Sequence, residues 1–137
     1  MAMAKSLKPL IVKQKQANRL IDNIRLNAHT RDIFVKLKIL PFEKQVLLER
    51  QKFMYLFYHK KQPLSFSGLW LLNEERNPNI ELRSGKNYYV PAHRLELMKR
   101  SPLVAFACAW NQAKEVKLNT TLRNFLKQQK QALLDSI

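Results

Sequence analysis

The sequence predicts a mainly α-helical chain, a compact bundle of about five helices with one small β-hairpin. Three observations predict it. Apolar residues recur at three- and four-residue spacing through most of 1–62 and 101–137. Threonine, serine and proline stand where those patterns begin. Between 63 and 100 the helical period fails, and Pro63, Gly68, Pro78 and Gly85 punctuate the chain. With 137 residues, 46% of them hydrophobic, the chain is long enough for one domain with its own core. We read it as N-terminal helices over 1–62, a loop and hairpin over 63–100, and C-terminal helices over 101–137.

In the first helix, Leu10, Ala17, Leu20, Ile21, Ile24 and Ala28 make the apolar face, with Pro9 in the first turn, where it is tolerated. Lys8, Lys15, Arg19 and Asp22 fall on another side, which is either a binding stripe or a solvated face. After a break at 27–30, Thr30 can cap a short helix with Asp32 in its first turn and Ile33, Phe34 and Leu37 on one face. Pro41 opens the next helix, Phe42 to Lys60, helped by Glu43 near its positive end. Val46, Leu47, Phe53, Met54, Phe57 and Tyr58, widened by Tyr55 and Leu56, cover more than half its girth. Such a helix is central in its domain or buries a partner. Lys60-Lys61 suits its C-terminus.

Phe66 and Leu69 to Leu72 need burial, so 62–91 reads as a packed connection. Ile80 to Arg83 and Tyr88 to Val90 are the two expected strands, joined by a turn at Ser84-Gly85-Lys86-Asn87. Ser101-Pro102 is a helix start, followed by Leu103, Phe106, Ala107 and Trp110 at i, i+3, i+4 and i+7. Asn119 or Thr120 is expected to cap a last helix. Its buried face is Leu122, Phe125, Leu126, Ala132 and Leu133, and Arg123, Lys127 and Lys130 stand opposite.

Composition excludes several classes of function. With only Gly68 and Gly85, no Gly-rich phosphate loop or dinucleotide fingerprint can form. One cysteine, Cys108, allows no internal disulfide, and it reads as an inert thiol in an apolar helix. His29, His59 and His93 are far from it and from one another, which discourages a zinc site. No apolar run reaches membrane-spanning length, and Lys5 and Lys8 interrupt the first ten residues, unlike a signal peptide. The expected location is nucleus or cytoplasm, without membrane attachment. Two-metal chemistry needs clustered carboxylates, yet the ten acids are scattered and the adjacent Glu74 and Glu75 would point about 100° apart on a helix. No histidine has a visible orienting partner. The chain is therefore expected to be neither an enzyme nor a cofactor carrier.

The charge is what remains. Twenty-five Lys and Arg against ten Asp and Glu give a net +15, which points to a polyanion. Cations placed on phosphates release counterions and supply affinity independent of sequence. The candidate contact residues are Lys15, Arg19, Lys60, Lys61, Arg83, Arg94, Lys99, Arg100, Arg123, Lys127 and Lys130. Arg94, Lys99 and Arg100, beside the expected hairpin, form the central patch. Tyr88 and Tyr89 could stack on unpaired bases if exposed, or else pack the hairpin onto the helices.

An ordered series of short segments carries a further signal. It runs Ala28-His29-Thr30-Arg31, then Leu37-Lys38-Ile39-Leu40-Pro41-Phe42, then Lys52-Phe53-Met54-Tyr55-Leu56-Phe57-Tyr58. Arg83 and Tyr89-Val90-Pro91-Ala92-His93-Arg94 follow, then Ser101-Pro102-Leu103, Ala109-Trp110-Asn111 and the closing helix over 122–133. The series resembles the C-terminal region, beyond fingers, palm and thumb, of LINE-like (non-LTR) retrotransposon reverse transcriptases, over almost the whole chain. Where that family commonly follows Trp-Asn with Leu-Pro, this chain has Gln112-Ala113-Lys114. The polymerase's Tyr-X-Asp-Asp motif is absent, as is an endonuclease portion. The resemblance implies an auxiliary surface that helps hold template RNA or target DNA, either a fragment of a larger protein or a remnant reused by a host. The expected function is non-catalytic binding of RNA or single strands. The competing expectation is a host-adapted protein-interaction module that docks a partner through the Phe53–Tyr58 face or the Trp70 and Trp110 regions.

Overall fold

The computed structural model describes residues 4–25, 27–81, 83, 85–113 and 120–137. Ser84, Lys114 and Asn119, named above, lie outside them, as does the side chain of Lys5. The described elements are α1 (Ala4–Ile21), α2 (Arg31–Leu37), α3 (Phe42–Tyr58), a 3-10 turn (Leu64–Phe66), α4 (Asn73–Arg76), α5 (Glu96–Arg100), α6 (Pro102–Gln112) and α7 (Leu122–Asp135). The helical reading holds, with two short helices beyond the five expected. Backbone packing divides the chain into two compact units, one of Met1–Val46 with Lys127–Ile137 and the other of Leu47–Leu126.

In the first unit, α1 begins at Ala4, so Pro9 lies inside it rather than in its first turn. The apolar face assigned to α1 is not the buried one. Leu20 and Ile21 are 74% and 64% exposed, and Leu10 and Ile24 also face solvent. Asn18 is buried instead, on one stripe with the half-buried Ile11 and Gln14. A polar stripe can turn inward because Gln14 finds partners there: its Nε2 donates to Leu40 O at 2.9 Å, and its Oε1 accepts from Phe42 N at 2.9 Å. Both bonds straddle Pro41, whose nitrogen has no hydrogen to give. The α1–α2 turn is tied by Arg19 Nε donating to Ala28 O at 3.1 Å and by the Lys36–Asp22 ion pair. Ile33, Phe34, Leu40, Leu133 and Leu134 complete the buried apolar set of this unit.

Helices α1, α2 and α3 end in one manner. The N–H groups of Ile24, Ile39 and Lys61 reach back five residues to Arg19, Phe34 and Leu56, at 3.0, 3.0 and 2.8 Å. Those of Asn23, Lys38 and Lys60 reach back three. This is the Schellman pattern, whose penultimate residue must be left-handed. Asn23, Lys38 and Lys60 have φ of 53°, 54° and 57°. Glycine usually occupies that place; here two lysines do, and each adds a cation at the negative end of its helix.

The second unit is built on aromatic packing. The wide face of α3 is internal: Met54 and Tyr55 are buried with Trp70, Leu72, Tyr88, Ala107, Trp110 and Phe125, and Phe53, Phe57 and Tyr58 pack against them. Trp110 is fully buried, stacked on Tyr58 with ring centroids 5.5 Å apart. Trp70 donates through Nε1 to Leu103 O at 3.2 Å. Edge-to-face pairs such as Phe53–Phe106 and Phe57–Trp70 are the favoured geometry of rings in a core.

The expected hairpin is absent among the described residues. Tyr88 instead makes an isolated antiparallel bridge to Leu72. Tyr89 N donates to Leu71 O at 2.8 Å, and Asn73 N to Asn87 O at 2.9 Å. The Asn111 amide closes the other side of Tyr88: its Oδ1 accepts from Tyr88 N at 2.9 Å, and its Nδ2 donates to Tyr88 O at 3.0 Å. With both polar groups of Tyr88 satisfied this way, the segment needs no strand at 80–83.

Capping also departs from the expectation. Thr30 has φ −99° and ψ −8°, already helical, so its hydroxyl cannot cap α2. The Ser101 hydroxyl is buried without a partner. Thr121, next to the expected Thr120, caps α7, its Oγ1 accepting from Asn124 N at 3.4 Å; Asn119 lies outside the described residues. In α4 the Glu75 carboxylate accepts from Leu72 N at 3.0 Å. Cys108, whose place in an apolar helix predicts a buried thiol, is half-buried.

Candidate nucleic-acid interface

The structure distributes the eleven candidate cations over both units. Lys15, Arg19, Lys127 and Lys130 belong to the first, and Lys60, Lys61, Arg83, Arg94, Lys99, Arg100 and Arg123 to the second. Nine of the eleven are exposed. Arg19 is half-buried and holds Ala28 O, and Lys130 is half-buried on α7. Among the described residues there are three ion pairs, Lys36–Asp22, Lys86–Glu74 and Lys99–Glu96, so Lys99 alone of the candidate set has an anionic partner. That pair, 3.3 Å across one helical turn and exposed at both ends, holds little energy against a phosphate. The Lys86 ammonium is held charged to higher pH, chiefly by its hydrogen bond to Glu74.

Of the expected central patch, Lys99 and Arg100 lie on α5 and Arg94 precedes it. Lys99 and Arg100 occupy its last turn, and Leu95 and Leu97, between them and Arg94, are 71% and 79% exposed. Arg94 is exposed as well. Three exposed cations and two exposed leucines thus share one short solvent-facing segment, with the exposed Glu96 between the leucines. The cations of such a surface can neutralise phosphates. No sequence pattern marked Leu95 and Leu97 as exposed.

The two tyrosines part company. Tyr88 is 3% exposed and its ring packs on Phe57 and Trp110, so it offers no face to a base; the stacking expectation is corrected at this residue. Burial pushes its phenol well above the usual range, with the Glu75 carboxylate adding to the effect. Tyr89 is half-buried, with the Arg76 guanidinium 3.7 Å over its ring centre. One face of Tyr89 is thus occupied by an exposed arginine that the sequence reading did not select.

A second grouping went unmarked. In the first unit, Lys15 lines a cavity of about 490 Å³ with His29, Thr30, Arg31, Phe34 and Phe42. Arg31 entered the sequence reading only in a motif series, and His29 only there and as a discounted zinc ligand. They come beside Lys15 because the Schellman turn at Asn23 and the Arg19–Ala28 bond fold the chain back along α1, a reversal that spacing does not encode.

The other histidines are held by neighbours. His93 Nδ1 lies 3.0 Å from Pro91 O, and His59 packs on Tyr55 at 4.3 Å between ring centres. Among the described residues no three His, Cys, Asp or Glu side chains gather as a metal would require, and no helix is long and apolar enough to cross a membrane. No protein-family model matches the chain, nor does any curated protein or solved structure.

Proposed function

We propose that this chain is a non-catalytic nucleic-acid-binding module that holds RNA or single strands by neutralising phosphates. The observation that carries the proposal is the charge: 25 Lys and Arg against ten Asp and Glu, with nine of the eleven candidate contact cations exposed. The exposed Leu95 and Leu97, close in sequence to Arg94, Lys99 and Arg100, favour unpaired strands over duplex, because apolar side chains need base faces to contact. The resemblance to the region following the thumb of LINE-like reverse transcriptases supports the same reading, as an auxiliary surface without polymerase chemistry. The test is a salt titration of binding to a single-stranded RNA. Log K should fall linearly with log salt, with a slope of about −0.7 for each phosphate contacted. A slope near zero refutes the proposal.

A second reading is that the chain is a protein-interaction module. The Phe53–Tyr58 face and Trp110 are used internally, so they do not support it. The exposed apolar stripe of α1, including Leu10, Leu20 and Ile21, does. In that case Leu20→Ser with Ile21→Ser abolishes partner capture without changing RNA affinity or its salt slope.

A further inference from the structure

The cavity of the first unit has a chemistry of its own. Its basic side chains come from two places, Lys15 on α1 and His29 with Arg31 at the turn into α2; Glu43 is its one acidic side chain, and Ile137 also lines it. Lys15, His29 and Arg31 are all exposed, so their charge is available at the cavity mouth. Thr30 also lines it; the residue is buried, and its hydroxyl caps nothing. The remaining wall is apolar, with Ile11, Phe34 and Phe42. About 490 Å³ falls within the roughly 300–1,000 Å³ range of small-molecule sites.

We propose that this cavity takes the phosphorylated end of a nucleic-acid strand, with the phosphomonoester on Lys15, Arg31 and the Thr30 hydroxyl, and the terminal nucleoside against Phe42. This deepens the nucleic-acid reading above and rests on it. Charge and shape select an end over an internal phosphate. Lys15 and Arg31 place two fixed positive charges at the cavity mouth. A phosphomonoester at neutral pH carries about −1.5 to −2, whereas an internal diester carries a single charge. A concave site also admits a chain end more readily than a continuous backbone. The arginine fork matches the phosphate oxygens in pairs, and the Thr30 hydroxyl, free of any capping bond, can donate to a third. The same chemistry would receive a free nucleoside monophosphate, so the experiment separates the two sources.

The test uses the full chain and one single-stranded RNA sequence prepared with a 5′-phosphate, a 3′-phosphate or neither, with affinity read by fluorescence anisotropy. One phosphorylated form should bind about tenfold tighter than the unphosphorylated strand, the size of one charge-assisted contact. Lys15→Gln and Arg31→Gln should each remove that advantage. Lys127→Gln, which deletes an exposed charge of the same unit away from the cavity, should keep it while lowering affinity for all three strands alike. Equal binding of all three by the wild type overturns the proposal, as does an advantage that survives Arg31→Gln. A chain that ignores every strand in dilute buffer refutes the nucleic-acid reading. The cavity is then judged by NMR titration with AMP and UMP: saturable shifts at Phe42 and His29 that vanish in Arg31→Gln retain it as a mononucleotide site, and their absence overturns it.

Discussion

Lys60 offers a test in which stability and function should move in opposite directions. It closes α3 in the left-handed conformation, φ 57°, and its N–H and that of Lys61 make the two reverse bonds of the helix end. A left-handed L-residue costs roughly 1–2 kcal/mol that glycine does not incur. Against this, the ammonium near the negative end of α3 contributes about 0.3 kcal/mol at an exposed position, and glycine loses about 0.5 kcal/mol more backbone entropy on folding. Lys60→Gly should therefore stabilise the protein by about 0.5–1 kcal/mol. Lys60→Ala removes the same charge but keeps the strain, so it should be neutral or destabilising by a few tenths of a kcal/mol. Both variants lose the same phosphate contact, and both should reduce the salt slope for single-stranded RNA by about 0.7. Urea denaturation gives the stabilities, and anisotropy at four salt concentrations gives the slopes. Equal stabilities for Ala and Gly refute the strain argument. Slopes equal to wild type in both remove Lys60 from the interface.

Other substitutions probe the scaffold. Asn111→Ala leaves both backbone groups of Tyr88 without partners in a half-buried setting and should cost about 2–4 kcal/mol in urea denaturation, since each orphaned group is worth about 1–3 kcal/mol. Tyr88 bears on alkaline stability. Its phenol ionises at higher pH folded than unfolded, so its contribution is intact below the ordinary tyrosine value near 10 and declines above it by about 1.4 kcal/mol per pH unit. Tyr88→Phe should remove that part of the decline between pH 10 and 11, with little change at pH 7. Gln51 is buried, with Nε2 on Ala109 O and Oε1 unpaired. Gln51→Met should change stability by less than about 1 kcal/mol, because the lost bond is offset by removal of an unsatisfied oxygen. Replacing Arg94 and Arg100 together by Gln should lower the salt slope for single-stranded RNA by about 1.4, without altering the urea midpoint.

Helix positions were legible wherever local signals dominate. The period from Val46 to Tyr58, the Ser101-Pro102 start and the Leu122–Leu133 face each appear as helix in the structure. The buried side of α1 was not legible, because Gln14 turns it inward through bonds to residues 26 and 28 positions distant, a pairing that hydrophobic period cannot express, and Asn18 follows on the same stripe. The hairpin failed for a related reason: the partner that satisfies Tyr88 is a side chain on α6, Asn111, where a period-two pattern can only suggest another strand. For the interface, the choice of residue types was readable from composition. Which of them converge was not. Lys15 meets His29 and Arg31 only after a chain reversal, and the sequence leaves both stacking and packing open for Tyr88 until Phe57 and Trp110 are seen around it.

The acids explain why so much positive charge stays unspent. Asp32, Glu43, Glu74, Glu75 and Glu96 all sit in the first turn of a helix, where a carboxylate answers the exposed N–H groups. Glu75 also takes the Leu72 N–H, Asp22 ties α1 to α2 through Lys36, and Glu74 fixes Lys86. Asp135 receives the Gln131 amide within α7. Most of the ten acids are thus committed to local structure, and apart from the exposed Glu96 none of these pairings engages a candidate contact cation. A chain that needed its basic residues for folding would pair them with acids across its packing surfaces. Here the acids set helix ends and turns, and Arg94, Arg100, Lys60 and Lys61 are left exposed with no anionic partner among the described residues. Their mutual repulsion is a standing cost that a bound polyanion removes. Ligand of that kind should therefore raise the thermal midpoint of the protein, and the rise should shrink as salt replaces phosphate around the same side chains.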